Sequence, residues 1–317
     1  MFRMPGKSYV GFLPLLTEQE GTLREALRRY VEKLAIEIGE RNLTHYHSLS
    51  TAGDFIEISF EEAGYEVRRQ GYEVTGLTCF NIGAEITGTE QRDEIVVIGA
   101  HYDSVIGSPG ANDNATGVAA VLALARTFAG KKLTRTLRFV AFVNEEPPFF
   151  KTSQMGSFVY TKACRERGEK VTAMFSLETI GYYTNAAKSQ RYPFPIGFFY
   201  PSTGNFIAFV GNMSSRELVR EVLASFRRQV KFPSEGAALP GIIPGVGWSD
   251  HWAFWRMGYL ALMVTDTAPF RYPFYHTAQD TPDKIHYEYL TRVVVGLQQV
   301  VGKMVGVIDN NSHKKFP

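Results

Sequence analysis

The feature that most constrains this chain is an alternation of short apolar runs and helical segments between residues 73 and 309. Runs such as 95–98 and 139–143 are continuously apolar, and segments with helical spacing separate them. Strands of this kind are buried on both faces, as in a parallel sheet with helices packed on either side. The pattern predicts an α/β fold in which helices flank both faces of a mostly parallel, mixed central sheet.

A single domain is the organisation we predict for the 317 residues. Its parts are an extended arm over 1–22, a helical preface over 23–72, the core over 73–309 and a tail over 310–317. Two irregular stretches, 184–205 and 235–250, interrupt the core. Loops of this length inside a compact domain are usually functional, although they also serve as ordered cover for an exposed core edge.

Composition narrows the classes of partner. Lysine and arginine number 34 against 32 acidic residues, a net charge of +2, so no strong field favours nucleic acid or an anionic membrane. Cys79 and Cys164 are too few for a disulfide framework or a thiolate metal cage, although one bridge is possible. No run reaches the roughly 18–20 apolar residues of a membrane helix, and no signal peptide is visible. We expect a cytoplasmic protein with a small or neutral substrate, unless a leader or anchor preceded Met1; the oligomeric state is open.

Common catalytic motifs are absent: the sequence holds no G-x-G-x-x-G, no G-x-S-x-G and no H-E-x-x-H. Instead, histidines and carboxylates stand at the ends of predicted strands or before a helix. These residues are His101, Asp103, Asp113, Glu145, Glu146, Glu178 and His276. Because sites in open α/β sheets assemble at the carboxyl ends of the strands, we expect these residues to converge.

The adjacent Glu145 and Glu146 indicate a metal. They follow an apolar run, where desolvation and like-charge repulsion disfavour two carboxylates unless cations neutralise them. Imidazole and carboxylate suit zinc, and an aspartate can bridge a pair of ions. Because neighbouring side chains on a strand point to opposite sides, one glutamate can bind metal while the other stands beside the reacting water. His101 and Asp103 face the same way, so Asp103 could accept a hydrogen bond from the His101 ring.

Six segments occur in a distinctive order: AHYDS at 100–104, GANDNATG at 110–117, NEE at 144–146, SLETIGYY at 176–183, SDHWAF at 249–254 and YHTAQDT at 275–281. Together they resemble the co-catalytic zinc aminopeptidases of the MH clan, peptidase family 28. That clan includes bacterial leucine aminopeptidases, glutamate carboxypeptidase and, more distantly, glutaminyl cyclases. The resemblance implies a three-layer sandwich of the zinc-exopeptidase, or phosphorylase/hydrolase-like, type.

The same resemblance implies two Zn²⁺ ions per chain. His101 and Glu178 would hold one ion. Glu146 and His276 would hold the other, and Asp113 would bridge both. Simpler interpretations also exist. Asp113 could serve merely as a helix cap, and His276 could lie in a surface loop. The peptide bond between residues 113 and 114 matches one that is cis in the family.

Further roles follow from the same likeness. Glu145 would be the general base, and Tyr275 matches a tyrosine that polarises the scissile carbonyl in some members, although it could be an ordinary packed aromatic. Two positions depart from the family pattern. Glu178 stands where many members have aspartate, and residues 147–150, PPFF, replace a glycine-containing continuation. The second departure concerns the shape of the substrate pocket rather than the chemistry.

The resemblance predicts a zinc-dependent exopeptidase, an aminopeptidase that hydrolyses peptide substrates by a two-metal mechanism. Trp248, Trp252 and Phe254 could line an apolar substrate pocket or simply pack a helix. A carboxypeptidase would need a cation for the substrate carboxylate, for which the candidates are Arg191, Arg256 and Arg271. The alternatives are a single-zinc acyltransferase of the glutaminyl cyclase type and a metal-free, peptidase-like interaction module.

Overall fold

An eight-stranded sheet forms the centre of the computed structural model, which describes residues 4–308. In chain order the strands are β1 (Val67–Val74), β2 (Leu77–Ile86), β3 (Gln91–His101), β4 (Arg135–Phe142), β5 (Lys170–Glu178), β6 (Ile207–Gly211), β7 (Ser234–Ala238) and β8 (Ala261–Thr265). Across the sheet they lie in the order β1-β2-β4-β3-β5-β8-β6-β7. The pairs β4–β3, β3–β5, β5–β8 and β6–β7 are parallel, and the other three are antiparallel. The predicted mixed, mostly parallel sheet is confirmed.

Helices cover both faces of this sheet, as predicted. They are α1 (Glu18–Glu32), α2 (Tyr46–Glu62), α3 (Thr116–Phe128), α4 (Gly156–Glu166), α5 (Arg216–Gln229), α6 (His251–Arg256), α7 (Ala268–Arg271) and α8 (Tyr287–Val305). On one face α1 packs on α3 and α8, and α5 packs on α8; one hydrophobic cluster there extends from Leu27 to Val305. On the other face, α4 packs on α6 over a smaller cluster around Phe142 and Phe254.

Several element boundaries differ from the sequence prediction. Helix α1 begins inside the predicted arm, because Thr17 and Glu20 form a capping box at its start. Strand β1 begins inside the predicted helical preface, and the irregular stretch 235–250 contains most of edge strand β7. The predicted tail over 310–317 lies outside the described residues. Within 4–308, the two cysteines are free and buried, and no helix has the length and hydropathy needed to cross a bilayer.

The carboxyl ends of the central parallel strands meet at one edge of the sheet. Strand β3 ends at His101, β5 ends at Glu178, and Glu145 follows the end of β4 by three residues. The segment between β3 and α3 then crosses this edge. A Cβ atom at Gly117 would lie 2.4 Å from both the Asn114 side chain and the main-chain oxygen of Leu177, so only glycine lets α3 approach β5 this closely.

Candidate metal centre

His101 is the first of six side chains that meet at this edge. Its imidazole is fully buried, and its Nε2 atom lies 3.3 Å from Asp113 Oδ1 and 3.3 Å from Glu178 Oε2. These three residues come from β3, from the segment before α3, and from the end of β5. One imidazole nitrogen and two carboxylate oxygens therefore converge on a common point, as a divalent cation requires.

His276 forms a second group on the other side of Asp113. Its Nε2 atom lies 3.1 Å from Asp113 Oδ2 and 3.3 Å from Glu146 Oε2. Asp113 thus presents one oxygen to each histidine, which is the arrangement expected of a bridging ligand. The Asp113–Asn114 peptide bond is cis, in agreement with the resemblance.

Glu145 lies beside the first group. Its Oε2 atom is 3.9 Å from His101 Nε2, and with His101 and Glu146 it makes a third set of atoms close enough to hold an ion. Burial raises the pKa of Glu145 well above its usual value; His101 opposes this rise, and the charge of Glu146 adds to it. Glu145 is therefore a more basic carboxylate than an ordinary glutamate, as a proton acceptor in catalysis needs to be.

The electrostatics of the six residues, which we call the metal centre, suit the binding of cations. Burial raises the pKa of Glu146 to about 8, with Asp113 adding to the rise. Burial alone would lower the pKa of His101, but Glu178 and Glu145 raise it well above its usual value. Four buried atoms here have no hydrogen-bond partner: His101 Nε2, Asp113 Oδ2, Glu146 Oε1 and His276 Nε2. Such orphaned donors and acceptors are rare in native proteins, and a divalent cation on each side of Asp113 would satisfy all four.

Asp103 has a different task from the one predicted. Its carboxylate lies 3.6 Å from His101 Nδ1, beyond hydrogen-bond distance, and the ring instead faces the main-chain oxygen of Asp103 at 3.2 Å. The two carboxylate oxygens accept the main-chain N–H groups of Glu145 and Glu146, each at 3.1 Å. Asp103 thus ties the end of β3 to the glutamate pair. The predicted hydrogen bond between the Asp103 carboxylate and the His101 ring is therefore not formed, and the carboxylate binds the main chain instead.

Sequence reasoning missed two residues that hold the ligands. Asp280 accepts the main-chain N–H groups of Asn112 and Asp113 at 2.8 and 3.0 Å, and Ser249 donates to Glu178 Oε2 at 2.7 Å. Both belong to segments that carry the resemblance, YHTAQDT and SDHWAF, which was the available signal. Partners of this kind orient ligands and tune their basicity.

Arg41 was also missed, and no sequence motif marks it. This fully buried arginine donates to main-chain oxygens on both sides of the ligand-bearing loop, including Tyr102 at 2.6 Å and Gly110 at 2.7 Å. Burial lowers its pKa to about 10, and nearby acids, Asp280 first, oppose the change. The helical preface is therefore attached to the segment that carries His101 and Asp113.

A largely apolar cleft opens beside the metal centre. Residues of β6, β7 and β8 line it, most of them small or apolar but including the acidic Glu235 of β7, and further lining comes from the stretches 184–205 and 239–248. Glu178 and Tyr275 line the end next to the centre, and the ring of Tyr275 stacks on His276 at 3.8 Å. Burial raises the pKa of Tyr275 well above its usual value, so its hydroxyl stays protonated.

Only one of the three predicted pocket residues lines this cleft. Trp248 does so, half-exposed and stacked on Phe270. Phe254 is fully buried against Phe142 on the α4–α6 side, and its assignment to the pocket is wrong. Trp252 lies outside the cleft, because it stacks on Phe158 of α4 at 6.1 Å.

The three arginines considered for a substrate carboxylate occupy different places. Arg271 is buried and donates to Gln190 Oε1 at 2.7 Å and to the main-chain oxygen of Phe206 at 2.8 Å. It therefore supports the cleft wall, since Gln190 and Phe206 both line the cleft. Arg191 is exposed on the stretch 184–205, and Arg256 lies near Trp252 at the end of α6.

The sequence matches the model of one known protein family. The model of Peptidase family M28 matches residues 81–301. The uncharacterized protein YfbL of Escherichia coli K12 is 36% identical over 282 residues, which cover 86% of each chain. Aminopeptidase YwaD of Bacillus subtilis is 35% identical over 109 residues, 34% of this chain and 23% of that protein.

Solved structures agree on the fold. BSAP, a zinc aminopeptidase from Bacillus subtilis, superposes with a TM-score of 0.72 at 16% identity, covering 89% of this chain and 95% of that one. Tannerella forsythia glutaminyl cyclase gives a TM-score of 0.65 at 19% identity, covering 88% and 97%. Both a peptidase and a cyclase therefore share this fold, and only the side chains of the site can separate the two chemistries.

Proposed function

The chain belongs to peptidase family M28, and on this premise we propose that it is a zinc-dependent aminopeptidase that removes N-terminal residues from peptides. The observation that carries the proposal is the pair of histidine Nε2 atoms on opposite oxygens of Asp113, at 3.3 and 3.1 Å, neither of which forms a hydrogen bond. His101 and Glu178 would hold one zinc ion. Glu146 and His276 would hold the second, and Asp113 would bridge the two.

When bound, the zinc ions supply Lewis acidity that polarises the scissile carbonyl and makes water nucleophilic at neutral pH. Glu145 takes the proton of the attacking water on its carboxylate and delivers it to the leaving amine. Its high pKa, caused first by burial, suits it to hold that proton between the two steps. The protonated hydroxyl of Tyr275 would donate a hydrogen bond to the developing oxyanion of the substrate.

The lining of the apolar cleft indicates which N-terminal side chains the enzyme would accept. Its aromatic and aliphatic lining, with Tyr192, Ile196 and Phe270 among the residues, suits an apolar N-terminal side chain. Small residues on the floor, Ala208 and Ala237, leave room for a large one such as leucine or phenylalanine. A leucine or phenylalanine substrate should therefore react faster than a lysine or glutamate substrate.

A glutaminyl cyclase is the rival within the same fold. That chemistry uses one zinc ion, whereas His101 and Glu146 here extend the donor set on both sides of Asp113. The two functions differ in a simple assay. A cyclase releases ammonia from an N-terminal glutaminyl peptide and leaves the peptide bonds intact.

The test is a screen of the zinc-loaded enzyme against aminoacyl-anilides, N-acetylated peptides and a glutaminyl peptide. We expect hydrolysis of leucyl-anilide, loss of that activity on chelation, and no cleavage of the acetylated peptides, which lack a free amine. Ammonia release from the glutaminyl peptide alone would refute the proposal in favour of the cyclase. Cleavage of C-terminal residues from the acetylated peptides would refute it in favour of a carboxypeptidase.

A further inference from the structure

One row of residues runs across four neighbouring strands, from the metal centre to the edge strand β7. Glu178 of β5 lies beside Thr265 of β8 in the strand register. Thr265 lies beside Ala208 of β6, which in turn lies beside Glu235 of β7. Residues paired in register point to the same face of a sheet, and all four of these residues line the apolar cleft. The row therefore has a metal ligand at one end and a second carboxylate at the other.

The side chain of Glu235 faces the cleft, because its neighbour on β7 faces the other way. A Cβ atom at Gly236 would lie 2.5 Å from Leu223 Cδ2, so position 236 faces helix α5. Successive strand residues point to opposite faces, which directs Glu235 away from α5. Three strand spacings of about 4.8 Å separate the main chains at Glu178 and Glu235, roughly 14 Å in all. A long substrate side chain that starts at the metal centre would therefore end near Glu235.

The protein engages the Glu235 carboxylate only in part. Arg227 Nη2 lies 3.4 Å from Glu235 Oε2, and Arg227 Nη1 donates to the main-chain oxygens of Pro5 and Gly6 at 3.1 and 3.2 Å. Burial raises the pKa of Glu235, and the charge of Arg227 and hydrogen bonding by Ser8 oppose the rise. A carboxylate offers about four acceptor positions, so Glu235 can accept a further hydrogen bond from a ligand in the cleft.

Other hydrogen-bonding side chains that line the cleft are already paired within the protein. The hydroxyls of Tyr192 and Tyr200 donate to main-chain oxygens at 2.6 and 2.8 Å. The hydroxyl oxygen of Thr265 accepts a main-chain N–H at 2.8 Å. The Gln190 amide donates to a hydroxyl at 3.0 Å and accepts from a guanidinium at 2.7 Å. Glu235 is therefore the side chain at the far end of the cleft that is best suited to bind a polar group of a substrate.

The pairing of Glu235 with Arg227 determines which polar group fits. The pair has little net charge and the cleft is otherwise largely apolar, so a substrate ammonium group would lose its hydration without a full opposite charge to replace it. A neutral O–H donor is less costly to desolvate, and its hydrogen bond to an ionised acceptor is stronger than one between neutral groups. Tyrosine combines an apolar ring with a donor of this kind at its tip.

We propose that Glu235 accepts a hydrogen bond from the hydroxyl of an N-terminal tyrosine whose ring lies over Thr265 and Ala208, so that the enzyme prefers tyrosine to phenylalanine. This inference rests on the proposed aminopeptidase function and names the side chain that the cleft selects. Glu235 is a specificity residue, because it touches the substrate at a distance from the reacting atoms. Leucine and phenylalanine remain substrates, since the rest of the lining is largely apolar.

Binding is measured by calorimetry with zinc-loaded Glu145→Gln protein, which keeps the cleft and slows hydrolysis. The ligands are tyrosinamide, phenylalaninamide, O-methyltyrosinamide and lysinamide. We expect tyrosinamide to bind about tenfold more tightly than phenylalaninamide, as a hydrogen bond to a charged acceptor predicts. O-methyltyrosinamide has the size of tyrosine but no donor, and it should bind no more tightly than phenylalaninamide. Equal binding of tyrosinamide and its methyl ether, or tighter binding of lysinamide than of tyrosinamide, overturns the proposal.

The same preference is measured as the ratio of kcat/KM for tyrosyl-anilide to that for phenylalanyl-anilide, with Glu145 intact. Glu235→Leu should bring this ratio close to one. Glu235→Gln retains a neutral acceptor that can still face Arg227, and it should lower the ratio part of the way. Glu94→Gln is the matched control, because Glu94 is a partly exposed glutamate paired with Arg135 at 2.7 Å and does not line the cleft. A ratio unchanged in both Glu235 variants overturns the role of Glu235.

Hydrolysis of leucyl-anilide separates the fate of this inference from that of the proposed function. Its retention in both Glu235 variants shows that they are folded and active. Hydrolysis of leucyl-anilide together with equal rates for the tyrosyl and phenylalanyl substrates rejects the tyrosine preference alone. Tighter binding of tyrosinamide without any hydrolysis by the unaltered protein rejects the peptidase and retains the hydroxyl site at Glu235.

Discussion

Two clusters of buried or partly buried acids in this protein differ in the residues that balance their negative charge. In the metal centre, Glu145 and Glu146 have raised pKa values, and the ion-pair partners described for the acids are the two histidines. At the other end of the sheet, Arg138 pairs with Glu85 at 2.5 Å and with Glu169 at 2.6 Å. Burial there tends to raise the pKa of Glu169, but hydrogen bonds from Arg138 and Arg167 lower it to about 2.

The difference separates a structural cluster from a binding site. The arginine cluster, Glu85, Arg138, Arg167 and Glu169, contains its own cations and is complete as folded. The metal centre keeps four buried polar atoms without partners. Uncompensated burial of this kind costs stability, and proteins retain it at sites whose ligand supplies the missing charge. The two clusters should therefore respond differently to the same chemical changes.

The largest effect is expected from Asp113→Ala. Loss of the shared carboxylate should prevent both zinc ions from binding and abolish hydrolysis, with kcat/KM falling by more than about 10⁴-fold. Metal analysis of the purified variant and a leucyl-anilide assay measure both effects. Asp54→Ala, at an exposed aspartate that pairs with Arg69, is the control and should keep its zinc. An Asp113→Ala protein with a full zinc complement would contradict the bridging role.

Glu145→Gln should lower kcat about 10²- to 10⁴-fold while the zinc content stays unchanged, because the amide cannot accept the proton. Glu169→Gln makes the same chemical change in the arginine cluster and should leave kcat unaltered. Near-normal turnover of the Glu145 variant would remove Glu145 from the role of general base. Loss of zinc together with turnover would make it a ligand instead, as the third group of donor atoms allows.

Arg138→Met should destabilise the fold by about 2–3 kcal/mol, since it leaves Glu85 without its cation and Glu169 with Arg167 alone. The value lies below the range for fully buried pairs because the Glu85 and Glu169 side chains are 20% and 18% exposed. Urea unfolding of the metal-free protein measures it. Zinc content should not change, and a variant that loses zinc would show that the two clusters are coupled.

The smallest expected effect concerns how much folding stability the protein loses at acidic pH. The folded-state pKa of Glu169, about 2, lies below its ordinary value of 4.5. Its ionised form therefore stabilises the fold above about pH 4.5, and that contribution is lost as the pH falls toward about 2. Partial exposure limits it to about 1 kcal/mol. Unfolding midpoints at about pH 6 and about pH 3 should differ less in Glu169→Gln than in the unaltered protein; equal differences would contradict the pairing.

Much of the fold was predictable because it depends on periodicity. The apolar runs at β3 and β4 are continuous, and their flanking helices are long, so the layer architecture follows from sequence patterns. Strands β1 and β7 were not predicted. Strand β1 is the charged and half-exposed VRRQGYEV, and β7 is the short SEGAA, so neither has the apolar character of a central strand.

The candidate site was predictable where chemistry marks the residue type. His101, Asp113 and Glu146 follow strands or precede a helix, and their meeting follows from parallel strands sharing one edge. Arg41 could not be found in this way, because its function is to bind main-chain oxygens, which no sequence motif encodes. The pocket assignments of Trp252 and Phe254 failed for a related reason: an aromatic in a short helix faces core or cleft according to helix orientation, which is set by tertiary packing.

The central claim is that Asp113 lies between two zinc ions. Its most direct test is a crystal of the zinc-loaded protein with anomalous scattering measured at the zinc absorption edge. We predict two anomalous peaks, one between Asp113 and His101 and the other between Asp113 and His276. A single peak, or none, in crystals grown with excess zinc would contradict the account.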